Sequence, residues 1–246
     1  MRKIKIHYSV FIFFTLSVFI GLYKEFIYVF FFLILLDLGH LLVIKKFKYK
    51  VNKIIFYPFG GVIDYEFKND LLYKEVLIVS GGVLVNLVLS LVFYLMKIEL
   101  FYMINLYFVF INLLPLYPLD GGKTYSYFFM FLFPYKIAMK ICYISSIVLS
   151  LFLLILIYRF YSAYIIIVFF GFIFKSNIEG LINLKKDYNN FLLKKHLFYN
   201  EELPKRSSKR WSDNPVDNLF YGRNLSFDYD SFYVNENVIL DRLYKK

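Results

Sequence analysis

The stretch NLLPLYPLDGGK, residues 112–123, interrupts the fourth of six apolar runs in this 246-residue chain. Pro115 and Pro118 end a helix because proline has no backbone N–H to donate, and the glycine pair that follows loosens the chain. Irregular backbone at membrane depth is tolerated only where it is buried in protein or lines a cavity. The stretch therefore predicts a broken helix inside a membrane protein, with the carboxylate of Asp120 at its end.

The composition around this stretch predicts a membrane protein. Hydrophobic residues make up 60% of the chain, whereas a soluble domain is closer to about half apolar. Most of the runs reach the ~20 residues that cross a bilayer core. The net charge of +11 does not indicate nucleic-acid binding, because the lysines cluster in short segments between the runs. The runs span residues 7–23, 26–44, 76–96, 100–118, 137–158 and 160–174.

The distribution of basic residues predicts the orientation of these runs. Cytoplasmic loops of membrane proteins carry an excess of Lys and Arg. One side of the predicted membrane carries almost all of them, and the other side carries only Lys24, Lys97 and Arg159. We therefore expect an all-α, multi-pass integral membrane protein with six transmembrane helices and both termini in the cytoplasm.

Two regions outside the runs differ from ordinary loops. Residues 45–70 alternate β-branched and aromatic residues around a Pro-Phe-Gly-Gly turn, which predicts a short membrane-associated β-hairpin. From about residue 175 the apolar periodicity fades. We expect a membrane-embedded domain over residues 1–175, followed by a cytoplasmic tail over residues 176–246. The tail is predicted to be a helix to about residue 198 and then an arm with little regular structure and no recognised domain.

The stretch LLDLGHLL, residues 35–42, places ionisable groups inside the second run. Asp37 and His40 lie three residues apart and share one face of a helix. Each ionisable group within a span costs about 2.5–3.5 kcal/mol on the insertion scale, so together with Asp120 they favour one polar site between helices. An aspartyl pair of Asp37 and Asp120, or a transporter, remains an alternative, although we find no internal hydropathy repeat of the kind transporters show.

Four strings in order carry a resemblance to a known family: DLGHLLVIKKF, YPFGGVI, SGGVLVN and NLLPLYPLDGGK. Over roughly residues 1–175 the chain resembles the site-2 protease (M50-type) family of intramembrane zinc metalloproteases, in its sporulation type, that of stage IV sporulation protein FB. The resemblance implies a zinc ion held by two histidines of a His-Glu-x-x-His helix and a later aspartate. It also implies a glutamate general base, hydrolysis of a membrane-tethered protein beside lipid, and location in a bacterial cell membrane.

Carried over residue by residue, the resemblance assigns a role to most of the polar positions. His40 matches the second histidine ligand, Asp120 the aspartate ligand, and Asp37 the general base. Leu36 stands at the first histidine position and cannot bind a metal. The broken stretch matches at Asn112, Pro115, Pro118, Gly121 and Gly122, and Gly60 and Gly61 match the strand that supports extended substrate.

These departures leave two functions open. In the first, the chain is an active metalloprotease with a degenerate site, in which Asp37 is the base or a ligand and water or Asn112 completes the metal shell. The carboxylate of Asp37 would fall about 1.5 Å short of a glutamate, and a misplacement near 1 Å can cost ~100-fold in rate. In the second, the chain is a pseudoprotease that keeps the fold and binds or sequesters a membrane protein without cutting it.

Overall fold

The computed structural model describes residues 3–58, 60–66, 71–160, 164–207, 215–229 and 232–244. The chain divides into two compact units. Unit 1 comprises residues 1–66 and 77–113, and unit 2 comprises residues 67–76 and 114–246.

Unit 1 is a small sheet packed on apolar helices. Its strands are β1 (Lys3–Ile6), β2 (Val51–Tyr57) and β3 (Gly60–Tyr65), and its helices are α1 (Tyr8–Ile20), α2 (Tyr23–Lys46), most of α3 (Leu72–Leu95) and α4 (Glu99–Leu113). The sheet order is β1-β2-β3, with β1 parallel and β3 antiparallel to β2. The predicted hairpin is confirmed, but the third strand was not foreseen, because residues 3–6 were interpreted as the basic start of the first span.

The sheet lies against the C-terminal half of α2 through a buried apolar cluster. Its members are Leu41, Ile44, Tyr49, Val51, Ile54 and Ile78. This half of α2 carries Asp37 and His40, so the same packing brings the sheet beside the candidate site. Lys45 and Lys46 in the last turn of α2 favour the helix end, where the helix dipole is negative.

Helices α2 and α3 run antiparallel with small residues at their contact. The ring of Phe32 on α2 packs on that of Phe93 on α3, with ring centroids 5.6 Å apart. Further along, Gly39 of α2 lies against Gly81 of α3, where neither position has room for a side chain. Small residues let membrane helices approach closely, and this close approach fixes the relative heights of the residues on the two helices.

Unit 2 holds the broken stretch, two long helices and a folded tail. Its helices are α5 (Asp120–Leu132), α6 (Tyr135–Phe160), α7 (Tyr164–Leu197) and α8 (Glu236–Tyr244). The tail adds β4 (Lys205–Ser207), a short 3-10 helix (Pro215–Asn218), β5 (Asn224–Tyr229) and β6 (Phe232–Asn235). The three strands form a sheet in the order β4-β5-β6.

The helices match the predicted spans only in part. Within the described residues, three helices are long and apolar enough to cross a membrane, and two shorter apolar helices accompany them. The long ones are Tyr23–Lys46, Leu72–Leu95 and Tyr135–Leu156, and the shorter ones are Tyr8–Ile20 and Glu99–Leu113. The fourth predicted run is not one helix, because α4 ends at Leu113 and α5 begins at Asp120.

The tail is more ordered than its composition predicted. Helix α7 ends at Leu197, as expected, but the predicted arm with little regular structure is wrong, since three strands and α8 follow. The side chain of Lys195 is fully buried and donates to the carbonyls of Phe220 (2.6 Å) and Arg223 (2.8 Å) and to the carboxylate of Glu236 (3.0 Å). Burial lowers the pKa of Lys195 and raises the pKa of Glu236, while their ion pair opposes both shifts.

Candidate active site

His40 is held in one orientation by α3. Its Nδ1 lies 2.8 Å from the carbonyl oxygen of Ile78, and a carbonyl can only accept, so Nδ1 carries the proton and Nε2 carries the lone pair. The ring is buried and lies directly against Gly82, where any side chain would overlap Nε2. A histidine whose other ring nitrogen donates to a backbone carbonyl is the arrangement typical of metal ligands.

Asp37 contacts the sheet through β3. Its carboxylate lies against Gly61 of β3, and a Cβ built on Gly61 would overlap an oxygen of Asp37. The side chain is almost fully buried, at 3% exposure. Among the described residues β3 pairs only with β2, so it is the edge strand of this sheet. This contact between Asp37 and the glycine-containing strand lies inside unit 1 and was not predicted from the sequence.

Leu36 lies on α2 one turn before His40, and it is buried at 5% exposure. It is three residues before Gly39 and four before His40, both of which contact α3, so helical spacing places it on the same face. In the part of the chain that the structure describes, no group of three or more His, Cys, Asp or Glu side chains could hold a metal ion. A catalytic zinc site uses three protein ligands, so the donor set that this chain presents does not fit the zinc of the family it resembles.

Asn112 lies near the C-terminal end of α4, a helix that packs on α2. The ring of Phe101 on α4 contacts the rings of Tyr28 and Phe32 on α2, with centroids 5.2 and 5.4 Å apart. The amide of Asn112 donates to the carbonyl of Phe108 at 3.1 Å.

Gly60 opens β3 in unit 1 with a positive φ of 134°. The remaining predicted residues lie in unit 2, around the start of α5. Asp120 is buried in the first turn of α5 and accepts from the ammonium of Lys123 at 3.1 Å. Pro115 and Pro118 lie in the connection from α4, and the following glycines are inside α5. A Cβ on Gly122 would overlap the backbone of residues 116–117, so glycine is needed for this close approach.

The broken backbone of residues 114–119 is paired by side chains of the neighbouring helices. The N–H of Tyr117 donates to Oγ of Ser146 on α6 at 3.0 Å. The carbonyl of Tyr117 accepts from Nδ2 of Asn177 on α7 at 2.5 Å. Irregular backbone at this depth is stable only with such partners, and these two bonds supply them for the backbone groups of Tyr117.

One polar residue beside His40 was not assigned a role from the sequence. Asn86 lies on α3, one turn after Gly82, and its side chain is fully buried. Neither Nδ2 nor Oδ1 has a hydrogen-bond partner among the described residues. The string SGGVLVN contains both Gly82 and Asn86. Only the packing of α2 on α3 indicates that these two residues face α2.

Comparisons with known proteins identify relatives in sequence and in fold. Residues 25–101 match the model of Peptidase family M50. The chain is 27% identical over 217 residues to stage IV sporulation protein FB of Bacillus subtilis (strain 168), covering 82% of this chain and 74% of the relative. The structure superposes on the site-2 protease from Methanocaldococcus jannaschii with a TM-score of 0.60 and 25% identity, covering 73% of this chain and 91% of that one. In its motifs, its sequence and its fold, the chain thus resembles the site-2 proteases of Peptidase family M50.

Proposed function

We propose that this chain is a pseudoprotease of the site-2 protease fold, which binds a segment of a membrane-tethered protein without hydrolysing it through zinc. The observation that carries the proposal is Leu36, whose buried hydrocarbon side chain stands one turn before His40, where the resemblance requires a zinc ligand. Loss of that ligand leaves His40 and Asp120 as the matching donors, and catalytic zinc sites use three.

The client-binding element in this proposal is the edge of β3. An extended polypeptide can add to a sheet edge through main-chain hydrogen bonds, which hold many sequences. An added strand would run about 4.8 Å from β3. Because Gly61 lies against the carboxylate of Asp37, the client would pass beside Asp37. Such binding needs no metal, so it survives the loss of the first histidine.

The proposal also includes the membrane topology and the cellular location. We propose six transmembrane helices with both termini cytoplasmic, in a bacterial cell membrane and in contact with its lipids. The relative in Bacillus subtilis is named for sporulation. By analogy, the client we propose is a membrane-tethered protein of a sporulation-type system of regulated proteolysis.

The test uses full-length protein purified in detergent and a defined probe. The probe is a fluorescent transmembrane peptide of Leu and Ala residues with a central Asn-Gly-Pro-Gly segment that interrupts its helix. We expect zinc content, measured by mass spectrometry, no higher than in a His40→Ala variant, and we expect the probe to bind and to be recovered intact. Cleavage of the probe, or a stoichiometric zinc that His40→Ala removes, would contradict the proposal, as would the absence of binding.

A proline pair tests whether β3 is the binding edge. Backbone N–H groups of consecutive strand residues point to opposite edges of the strand, and proline has none. The variants are Val62→Pro and Ile63→Pro. One of them removes a backbone N–H that bonds to β2 and so destabilises the hairpin. The other removes a backbone N–H on the free edge of β3, where the client would bind. We expect the second to weaken probe binding by about tenfold, close to the upper end for one net hydrogen bond, with an unchanged melting temperature. Equal binding by both variants would exclude β3 as the binding edge.

An active metalloprotease is the second candidate, and one observation favours it. The bond from His40 Nδ1–H to the Ile78 carbonyl orients Nε2 as in metal-binding histidines. In this reading His40 and Asp120 would be zinc ligands, Asn112 would complete the shell, and Asp37 would be the general base. Probe cleavage that is abolished by both His40→Ala and Asp37→Ala would establish this candidate over the first.

A further inference from the structure

Asn86 is the buried polar group one turn beyond Gly82, the residue under His40, and the proposed function leaves it without a role. Its side chain is fully buried, and both its donor and its acceptor lack a hydrogen-bond partner within the described residues. A buried polar group without a partner costs about 1–3 kcal/mol. Such a group calls for an explanation, of which binding a ligand is one, and the chemistry of the group limits what that ligand can be.

The position of Asn86 follows from the packing of α2 on α3. Gly82 lies under the ring of His40, and Asn86, four residues later, is on the same face of α3 one turn further along. The helices run antiparallel, with Phe32 on Phe93 and Gly39 on Gly81. This pairing places Asn86 level with residues 36–37 of α2. The carboxamide therefore lies on the His40 side of α3, at the height of Leu36 and of Asp37, which contacts β3.

A carboxamide needs both a hydrogen-bond donor and an acceptor from its partner, and this limits the ligands that satisfy it. A metal ion would use Oδ1 and leave the two N–H groups of Nδ2 unpaired. A peptide group offers one N–H and one C=O, and so complements both halves of the carboxamide. In transmembrane helices Asn often bonds to a neighbouring helix, but such a bond would engage at least one of these two atoms.

We propose that Asn86 is a client-binding residue that pairs, through Oδ1 and Nδ2, with one peptide group of the extended segment held at β3. This inference rests on the proposed function and adds to it a second contact, from α3. Because Asn86 has no exposure in the resting protein, the client must displace the packing above it. Asn86 contributes to affinity but not to the choice of client, since every sequence offers peptide groups.

The test is an ester scan of the transmembrane probe, read as a double-mutant cycle. Each central peptide bond is replaced in turn by an ester, which removes one N–H. Against the native protein, we expect one ester position to weaken binding about two- to tenfold, the range of one net hydrogen bond. Against Asn86→Leu, the same ester should have no effect. The matched control is Asn105→Leu, since Asn105 is equally buried but its amide donates to Phe101 of its own helix at 2.8 Å.

A stability measurement separates this role from a structural one. Without a client, Asn86→Leu removes two unpaired polar atoms, so the melting temperature should rise by about 2–4 °C. A fall would show that the carboxamide is satisfied in the resting protein by a neighbour or a water, which overturns the inference. Identical ester profiles for the native protein and Asn86→Leu would also overturn it while leaving client binding at β3 intact. A native protein that binds no probe would overturn the proposed function, and this inference with it.

Discussion

The two stretches that carry the family resemblance, on α2 and on the connection from α4 to α5, differ in how far they match it. On α2, Leu36 stands where the resemblance implies a zinc ligand, while Gly82 lies under His40 and Gly61 lies on Asp37. In the connection, the prolines, the glycine pair and Asp120 follow the string that the resemblance names, and Ser146 and Asn177 pair the backbone of Tyr117.

The difference separates two kinds of constraint. An apolar residue of similar size can take the place of a metal ligand in a buried site at little structural cost, because it packs against its neighbours, and Leu36 is buried. A glycine under a backbone or a partner for a broken helix cannot be replaced in this way, since either change disrupts the fold. Four sets of variants test this separation.

Gly122→Val should have the largest effect. The added side chain would overlap the backbone of residues 116–117, which neighbouring helices hold in place. We expect a loss of more than about 4 kcal/mol, at the exceptional end for single substitutions, and little folded protein in detergent extracts. Gly171→Ala is the matched control because a Cβ there meets nothing within 4 Å. Normal yield of Gly122→Val would show that the connection can relax.

Leu36→His combined with Asp37→Glu should have the next largest effect, on metal affinity rather than on folding. If only the ligands were lost, the double variant regains a His-Glu-x-x-His helix, and its zinc affinity should rise at least ~100-fold, the size of ligand-shell effects. Equilibrium dialysis with zinc measures the change, and the absorption spectrum of bound cobalt reports coordination by nitrogen. Adding His40→Ala should abolish the gain. No gain in the double variant would mean that the surrounding site has also decayed.

Gly61→Ala should have a moderate effect that depends on Asp37. The new methyl group would overlap the carboxylate, and overpacking of this kind costs about 1–3 kcal/mol. In an Asp37→Ala background the overlap is gone, so the cost should largely disappear. Unfolding in mixed micelles measures the four free energies of this cycle. Additive effects would contradict the contact between β3 and Asp37.

Ser146→Ala should have the smallest effect of the four, about 1 kcal/mol, because it removes the partner of the Tyr117 N–H in an apolar interior. Ser150→Ala is the matched control on the same helix. Its hydroxyl is equally buried but bonds only to Ile147 of its own helix, so its replacement should be nearly neutral. Equal losses for both serines would indicate that the irregular stretch does not depend on Ser146.

Much of the fold was predictable because its signals are local. The apolar lengths of α2, α3 and α6, the hairpin around residues 58–61, and the helix break at Pro115 and Pro118 each follow from a short window of sequence. The strand β1 and the tail sheet were missed because their pairing is non-local: residues 3–6 are extended only because β2 lies beside them. Likewise, the order of residues 215–225 depends on Lys195 and Glu236, which lie far away in the chain.

The features of the candidate site were likewise predictable only where their signal is local in the sequence. His40, Asp37 and the absent ligand at Leu36 are visible in eight consecutive residues, because helical spacing alone places them on one face. The contact of Asp37 with Gly61, the bond from His40 to Ile78 and the unpaired carboxamide of Asn86 are not visible there. Each depends on which helix or strand lies opposite, and hydrophobic packing chooses that neighbour without leaving a local pattern.

Residue types at fixed spacing are enough to indicate the class of protein, its resemblance to Peptidase family M50 and the leucine at the position where that resemblance implies a zinc ligand. The groups that surround Leu36 follow instead from the packing of distant segments. A small-residue contact sets the height of α3 on α2, and this height, a property of two surfaces together, brings Asn86 level with Leu36.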